Sequence, residues 1–173
     1  KSRMMTVELR RWRMQDAQAL AAVANNRNIW NQVRDFFPSP YTVSDAMQWI
    51  SMIEKENPAL NFAILCNEEV CGGIGCVLKQ DIYKKNIEIG YYIGEPYWGK
   101  GVATEACRLI CKYIEEKMDI VRIEASTFHH NKASMRVLQK NGFYLEAIRQ
   151  KAIIKNNVLL DEYLWVKRIR NDQ

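Results

Sequence analysis

Apolar and polar residues alternate along this chain in short blocks that predict strands and helices in mixed order. Residues 86–93 combine β-branched and aromatic side chains, which is typical of a strand, and residues 101–118 form an amphipathic segment without a helix breaker. The predicted strands are residues 7–13, 62–66, 70–79, 86–93, 120–127, 143–154 and 158–167, and the predicted helices are residues 16–24, 44–56, 101–118 and 132–140. This order predicts an α+β fold with a mixed sheet.

Capping and turn residues set several boundaries of these elements. Ser44 is the expected N-cap of the second helix, and Pro58 is expected to end that helix. Gly142 closes the last helix, because glycine readily adopts the left-handed conformation that follows a helix. Asn156 and Asn157 form the expected hairpin turn between the last two strands.

The composition fits a compact soluble protein. With 173 residues the chain suits one domain, expected to span residues 1–173. Its apolar runs are too short to cross a membrane and its basic start lacks the pattern of a secretory signal, so a cytoplasmic protein without a membrane partner is expected. The net charge of +5 is spread along the chain without a basic and aromatic module, so no direct nucleic-acid binding is expected.

The cysteines carry no functional pattern. The chain has five of them, which is an odd number, and none forms a Cys-x-x-Cys pair, so a disulfide framework and a zinc site are both disfavoured. Reduced and mostly buried thiols are therefore expected, and no metal site is predicted. The five are Cys66, Cys71, Cys76, Cys107 and Cys111.

The segment between the strand 86–93 and the helix 101–118 is the strongest indication of function. A strand that passes into a helix through small residues leaves backbone N–H groups aimed at one point, where the helix dipole favours an anion. Gly94, Gly99 and Lys100 are spaced as in a nucleotide-binding P-loop, but Gly101 stands where that loop needs a hydroxyl for magnesium. The dinucleotide fingerprint is also incomplete, because its third glycine is absent. Another phosphate-bearing ligand is therefore indicated.

Two motifs resemble those of the GNAT N-acetyltransferase superfamily. The family's pyrophosphate loop is glutamine or arginine followed by x-x-G-x-G/A, and the chain has tryptophan in the first position: Trp98-Gly99-Lys100-Gly101-Val102-Ala103. The segment from Asn131 to Phe143 resembles the family's N-x-x-S-x-x-x-L-x-x-x-G-F motif. Tryptophan in the loop is a familiar form in the ribosomal-protein N-acetyltransferase branch, which the chain resembles most.

The resemblance covers nearly the whole chain and implies a fold and an activity. The implied fold is a GNAT-type domain, in which a mostly antiparallel central sheet of about seven strands is flanked by helices. A splayed pair of strands in that sheet binds acetyl-CoA. The implied enzyme is an acyltransferase that moves an acetyl group from acetyl-coenzyme A to a primary amine by direct attack.

The resemblance also assigns cofactor-binding residues. The pyrophosphate would lie on backbone N–H groups of the loop, and the pantetheine arm would pair with strand residues 91–93, where one N–H would polarise the thioester carbonyl. The tyrosine side chains of that strand are equally explained by cross-strand packing, and Lys100 by a solvated loop lysine. The assigned residues are Tyr91, Tyr92, Ile93, Trp98, Gly99, Lys100, Gly101, Val102, Ala103, Thr104, Asn131 and Ser134.

Two proton transfers need side chains. Glu88 is the predicted general base, directly or through water, because it is a carboxylate within an apolar run, although an outward-facing strand glutamate is an equal interpretation. In many family members a tyrosine protonates the thiolate, but the matching position here is Leu138. Ser134 is the expected substitute as a hydrogen-bond donor to sulfur, or else a first-turn helix serine. Tyr144 and Tyr163 are fallback donors.

The sequence does not identify the acceptor of the acetyl group. The family places its first helices over the acceptor side, so five residues are expected to form one wall of that site, although their aromatic rings could equally belong to the core. The branch suggests a protein N-terminal α-amine, and a small-molecule amine or a non-catalytic CoA-binding regulator are the alternatives. The chain is expected to be a monomer or a homodimer. The wall residues are Trp30, Arg34, Phe36, Phe37 and Tyr41.

Overall fold

The computed structural model describes residues 5–170, in which seven strands form one sheet. The strands are β1 (Val7–Arg11), β2 (Asn61–Cys66), β3 (Glu69–Leu78), β4 (Asn86–Ile93), β5 (Arg122–Phe128), β6 (Tyr144–Lys155) and β7 (Val158–Arg168). The helices are α1 (Ala17–Ala24), α2 (Arg27–Trp30), α3 (Val43–Ile53), α4 (Val102–Lys117) and α5 (Lys132–Lys140). Within the described residues no helix is long and apolar enough to cross a membrane.

The sheet has the order β1-β2-β3-β4-β5-β7-β6. Antiparallel pairing joins β1 to β2, β2 to β3, β5 to β7 and β6 to β7. β4 and β5 are parallel, with Asn86 to Glu88 opposite Arg122 to Glu124. A parallel pair needs a crossover connection, and α4 supplies it. The predicted α+β class and the mostly antiparallel mixed sheet are confirmed.

The chain divides into two compact units. The first unit comprises residues 1–75 and 91–106, and the second comprises residues 76–90 and 107–173. Strands β3 and β4 and helix α4 each contribute residues to both units. The expectation of one domain over residues 1–173 stays a prediction.

The core of the first unit is formed by apolar faces of α1 and α3. Leu20 and Ile50 are completely buried there, and the Trp12 and Trp49 rings meet edge to face with centroids 5.7 Å apart. Burying one such large aliphatic side chain contributes about 2 kcal/mol. This packing, rather than helix propensity, holds two short helices in place.

The core of the second unit contains the apolar side of α4. Ile110 and Ile114 lie one turn apart on this helix and are completely buried, as are Ile123 of β5 and Val166 of β7. Their spacing of four residues places them on one face, which is the pattern of an amphipathic helix packed on a sheet. These side chains anchor the second half of α4.

The N-cap of helix α3 lies two residues earlier than predicted. Its N-cap is Thr42 and not Ser44, because the Thr42 hydroxyl accepts from the Asp45 N–H at 3.1 Å while the Asp45 carboxylate accepts from the Thr42 N–H at 2.9 Å. The Thr42 N–H and the Thr42 hydroxyl, the latter at 2.8 Å, both donate to the Asp45 carboxylate and hold its pKa below its usual value. This reciprocal capping box requires an acid three residues after the cap, a position that Asp45 fills only for Thr42. The helix ends at Ile53, before Pro58.

Two cysteines are bonded in the structure, where reduced thiols were expected. Cys66 ends β2, and Cys71 is the extra residue of a β-bulge in β3, so their Cα atoms come within 5.9 Å and the pair forms a disulfide. Sequence spacing does not reveal a bulge, which is why this pair was missed. The three others, Cys76, Cys107 and Cys111, are free and buried.

Candidate active site

The phosphate loop, residues 98–104, follows β4 and leads into α4. The Gly94 N–H donates to the Cys71 carbonyl at 2.7 Å, which fixes the chain as it leaves the sheet, and a 3-10 turn (Glu95–Tyr97) follows. Gly99 and Gly101 then adopt φ angles of +74° and +79°. These left-handed conformations strain residues that carry a Cβ, so the turn into the helix depends on glycine.

Open space lies in front of this loop. A Cβ placed on Gly99 or Gly101 would meet no atom within 4 Å, and Lys100 between them is exposed. Val102 is 2% exposed and anchors the start of α4 in the core. The first N–H groups of a helix lack partners within the first turn, so this opening lies before the N-terminal, positive end of a 16-residue helix and beside a lysine. The arrangement suits a phosphate group.

Trp98 fastens the loop to the end of β4. Its indole N–H donates to the Ile93 carbonyl at 2.7 Å, while its ring remains 42% exposed. A carbonyl at a strand end needs a partner, and the side chain of the first loop residue supplies one. Glu95, on the intervening turn, accepts from the side-chain amides of Asn28 at 2.7 Å and Asn26 at 3.2 Å.

The predicted cofactor strand packs through Tyr92. Its ring meets Phe37 edge to face at 5.1 Å, and a Cβ on Gly73 of β3 would lie 2.6 Å from its hydroxyl oxygen. Burial raises the pKa of Tyr92 well above its ordinary value. The packing interpretation of this side chain is therefore confirmed, and any cofactor contact at this position must use the backbone.

The expected acceptor wall is only partly assembled. Phe37 and Tyr41 pack at 5.1 Å, and Tyr41 is buried in the core of the first unit, which together with the Asp45 charge raises its pKa to about 12. Trp30 is covered by the Arg27 guanidinium, 3.9 Å from its ring centre. Arg34 is exposed, and Phe36 is 99% exposed and stands apart from this cluster.

A shallow cleft of about 530 Å³ lies beside the wall. It is lined by residues of α1 and of the segment that enters α3, including Asn25, Tyr41 and Thr42. The Tyr41 N–H donates to the Asn25 side-chain oxygen at 3.0 Å, which holds that segment against the end of α1. No residue of the phosphate loop lines this cleft, so it is not the phosphate site.

Glu88, the predicted base, lies in the second unit beside a cation. Its carboxylate is 3.2 Å from the Lys79 ammonium, and 23% of its side chain is exposed. Its register partner on β5 is Glu124, which pairs instead with Arg122 at 2.9 Å. The carboxylate is thus half-buried and ion-paired, which lies between the two interpretations of the sequence, a buried carboxylate and an outward-facing strand glutamate.

The second motif forms the N-terminus of α5. Asn131 is the N-cap, and its side-chain oxygen accepts from the Ser134 N–H at 3.2 Å. Ser134 is half-buried in the first turn, as the helix-cap interpretation predicts. Leu138 is completely buried and supplies no proton donor. The fallback residue Tyr144 is 46% exposed, and Tyr163 is half-buried on β7.

Sequence reasoning missed Lys79, Asn26 and Asn28. Lys79 is nine residues from Glu88, and only the pairing of β3 with β4 brings them together. Asn26 could have been found, because asparagine before a short apolar stretch is a frequent N-cap. Its second role, as a donor to Glu95 across 69 residues, requires the tertiary structure.

Comparison with known proteins identifies the family. Residues 6–144 match the acetyltransferase (GNAT) domain, which is well over half of the chain, so the chain belongs to the GNAT acetyltransferase family. The resemblance stated from the two motifs is confirmed, and the chain is an acyltransferase-family protein.

Curated relatives are distant. The uncharacterized N-acetyltransferase YnaD of Bacillus subtilis is 27% identical over 157 residues, covering 91% of this chain and 90% of that protein. The probable N-acetyltransferase YjcK of the same organism is 42% identical over 73 residues, which is 42% of this chain and 40% of that protein.

Solved structures share the fold over almost the whole chain. RimL, a ribosomal alpha-N-protein acetyltransferase in complex with coenzyme A, has a TM-score of 0.85 and 22% identity, with 96% of each chain covered. The microcin C7 self-immunity acetyltransferase MccE, in complex with acetyl-CoA and AMP, has a TM-score of 0.81 and 25% identity, with 94% of this chain and 92% of that chain covered. The GNAT fold is therefore shown, and the ribosomal-protein branch remains a suggestion.

Proposed function

We propose that this GNAT N-acetyltransferase uses acetyl-CoA to acetylate a protein N-terminal α-amine, and that residues 1–173 act as one catalytic domain. The observation that carries the cofactor assignment is the pair Gly99 and Gly101, both at positive φ, in front of the N-terminus of α4 with open space beside them. Family membership supports the same cofactor. The pyrophosphate is held by backbone N–H groups of residues 99–103, and Lys100 adds a positive charge.

Acetyl-CoA, when bound, supplies an activated acetyl thioester, and the chain supplies orientation and proton transfer. Strand residues 91–93 hold the arm through backbone groups, since the Tyr92 side chain is occupied by packing against Phe37. One of these N–H groups would donate to the thioester oxygen, the atom on which the attack of an amine places negative charge. Asn131 would donate to the arm from its side-chain amide.

Glu88 takes the proton that the amine loses as its bond to the acetyl carbon forms. The Lys79 ammonium lies 3.2 Å from this carboxylate, so a cation stands beside the proposed base. Because 23% of the Glu88 side chain is exposed, a water molecule can relay the proton from the acceptor.

Ser134 donates a hydrogen bond to the departing sulfur. Its hydroxyl is too weak an acid to give its proton away outright, so it would relay a proton from solvent to the sulfur. The N-terminus of α5 beside Ser134 would add a partial positive charge that favours negative charge on that sulfur. Leu138 leaves no stronger acid on this helix face.

The α-amine acceptor is supported by the acid–base groups proposed for the site. An α-amine has a pKa near ~8 and a lysine side chain near ~10.4, so the neutral form of the α-amine costs about 3 kcal/mol less to reach. The half-buried carboxylate of Glu88 suffices to take a proton from such an α-amine. The shared fold with RimL, an alpha-N-protein acetyltransferase, points the same way.

Thermal stability with acetyl-CoA, CoA and magnesium-ATP tests the cofactor. Ligand that binds only the folded state raises the melting temperature, so both CoA species should raise it and ATP should not. No shift with saturating CoA would contradict the acetyltransferase proposal. A shift with CoA but no thiol release with any amine would instead favour the CoA-binding regulator.

A thiol-release assay then tests the acceptor. Two peptides that differ at one internal position and at the N-terminus serve as acceptors: one has a free N-terminus and an internal arginine, and the other has a blocked N-terminus and an internal lysine. The proposal expects turnover of the first only. Turnover of spermidine or an aminoglycoside in preference to both peptides would identify a small-molecule enzyme.

A further inference from the structure

Glu95 connects two parts of the first unit, the turn after β4 and the start of α2. It begins the 3-10 turn that separates β4 from the phosphate loop. Its carboxylate oxygen Oε1 accepts from Asn28 Nδ2 at 2.7 Å and from Asn26 Nδ2 at 3.2 Å. These two bonds, that from Asn28 first, hold the pKa of Glu95 below its usual value. The carboxylate is therefore an ionised acceptor shared by two amides.

The amides belong to the N-terminus of α2. Asn26 caps this helix, because its side-chain oxygen accepts from the backbone N–H of Asn28 at 2.8 Å and of Ile29 at 3.4 Å. The same side chain thus starts the helix with its oxygen and binds Glu95 with its nitrogen. Ile29 is 3% exposed, so α2 is itself anchored in the core.

The turn transmits the position of Glu95 to the loop. The Trp98 N–H donates to the Glu95 carbonyl at 3.0 Å, and the Trp98 indole binds the Ile93 carbonyl. A shift of Glu95 would therefore move Trp98, and Gly99 follows directly in the chain. Because both loop glycines face open space, side-chain packing does little to hold them. Bonds at the base of the loop must supply that order.

We propose that Glu95 is a positioning residue for coenzyme A: its bond to Asn28 fixes the phosphate loop relative to α2, so cofactor affinity depends on two side chains outside the loop. This inference rests on the proposed cofactor and deepens it. An ordered loop binds an anion more tightly than a mobile one, because less conformational entropy is lost on binding. Helix α2 leads into the expected acceptor wall, so the same bond joins the two ends of the site.

Exchanging the donor and the acceptor tests the bond directly. Asn28→Asp places a second carboxylate against Glu95 and should weaken CoA binding by about tenfold, measured by titration calorimetry. Glu95→Gln keeps an oxygen that accepts from the amides and should bind CoA within about twofold of wild type. The double variant restores a bond with the amide now on residue 95 and should return affinity to within about twofold of wild type.

A control variant separates the effect of the Asn28–Glu95 bond from the effect of an added negative charge. Gln32→Glu adds the same charge at an exposed position of the same segment. Combining it with Glu95→Gln should change CoA affinity only by the sum of the two single effects. Melting temperatures of all variants, measured without ligand, identify any loss through unfolding. If Asn28→Asp weakens binding only through a lower melting temperature, the inference is wrong.

The outcomes are distinct for the inference and for the function. If Asn28→Asp binds CoA as tightly as the wild-type protein does, the positioning role alone is overturned. The same holds if the double variant binds CoA no more tightly than Asn28→Asp. Absence of CoA binding by the wild-type protein would overturn the proposed cofactor, and the positioning role with it. Rescue in the double variant, without rescue of Gln32→Glu, supports the role.

Discussion

The Glu88 carboxylate lies 3.2 Å from the Lys79 ammonium, while its register partner Glu124 is paired with Arg122. Two carboxylates that would repel each other as neighbours on parallel strands are each neutralised by a separate cation. Each carboxylate thus has a cation of its own. It also provides a matched pair of glutamates for testing the proposed base.

Replacing Glu88 by glutamine should remove the base and leave the fold. We expect kcat to fall by about 100-fold, which is the usual size of a general-base contribution, with CoA affinity within about twofold of wild type. Steady-state thiol release and calorimetry check the two quantities. Glu124→Gln is the control and should keep kcat within about threefold, and equal losses in both variants would contradict a specific role for Glu88.

Alanine at Gly99 or Gly101 should weaken CoA binding by about tenfold. Each position has positive φ, and forcing a Cβ into that conformation costs about 1–2 kcal/mol, which the loop can relieve only by turning its N–H groups away from the anion. Calorimetric titration with CoA measures the loss. Gly90→Ala is the control, because its Cβ also meets no atom within 4 Å but its backbone is not left-handed. Equal effects at Gly90 would exclude the backbone explanation.

Removing the indole N–H of Trp98 should weaken CoA binding by a smaller amount. Trp98→Phe keeps an aromatic ring but leaves the Ile93 carbonyl without its donor at 2.7 Å, a loss of about 1 kcal/mol or roughly fivefold in affinity. The expected kcat is unchanged, because the side chain does not take part in proton transfer. Tyr97→Phe, which removes a hydroxyl from the same turn, should bind CoA normally, and a similar loss there would refute the assignment to the indole.

Asp16 should make stability depend on acid pH. Burial raises the pKa of this carboxyl, but the Arg10 guanidinium at 2.7 Å and the Arg13 N–H at 2.9 Å outweigh it, so the pKa lies below its usual value. The stabilisation is complete above the unfolded pKa of about 4 and is lost as the pH falls through the lower folded value. Urea unfolding of wild type and Asp16→Asn should differ by about 2 kcal/mol near neutral pH, and the difference should shrink as the pH falls below the unfolded pKa.

Asp119→Asn is the control for this pH dependence. The Asp119 side chain is 76% exposed, and its pairs with Lys85 and Arg170 at 3.4 and 3.6 Å lie at the surface. Surface pairs contribute about 0–1 kcal/mol, so this variant should follow wild type across the acid range. A pH-independent gap between wild type and Asp16→Asn would show that shape, not charge, accounts for the loss.

The sequence predicted correctly those elements in which the hydrophobic periodicity and the turn or capping residues at the ends indicate the same bounds. Strand β4 and helix α5 have the predicted bounds because each combines a strong pattern with turn or capping residues at both ends. The predicted start of α3 was wrong because two hydroxyl residues, Thr42 and Ser44, could cap the helix. The carboxylate of Asp45 distinguishes them, since it lies three residues after Thr42. Helix α2 was missed because four residues are too few for a periodic pattern.

The cofactor loop could be predicted, and much of its surroundings could not. Glycines and a following helix are local features, so the phosphate loop was visible in the sequence. The pairs Lys79 with Glu88, Asn28 with Glu95 and Phe37 with Tyr92 join residues that are 9, 67 and 55 positions apart. Such pairs depend on strand register and helix placement, which residue types alone do not specify.

Gly73 offers a way to reshape the expected acceptor wall from behind. Only hydrogen fits beneath the Tyr92 hydroxyl at this position, since a Cβ would lie 2.6 Å from its oxygen. A larger residue there would push the Tyr92 ring towards Phe37, which belongs to the expected acceptor wall. If that wall binds the acceptor as proposed, residue 73 would tune acceptor size from behind it, which makes this position a first choice for altering acceptor selectivity while the phosphate loop stays untouched.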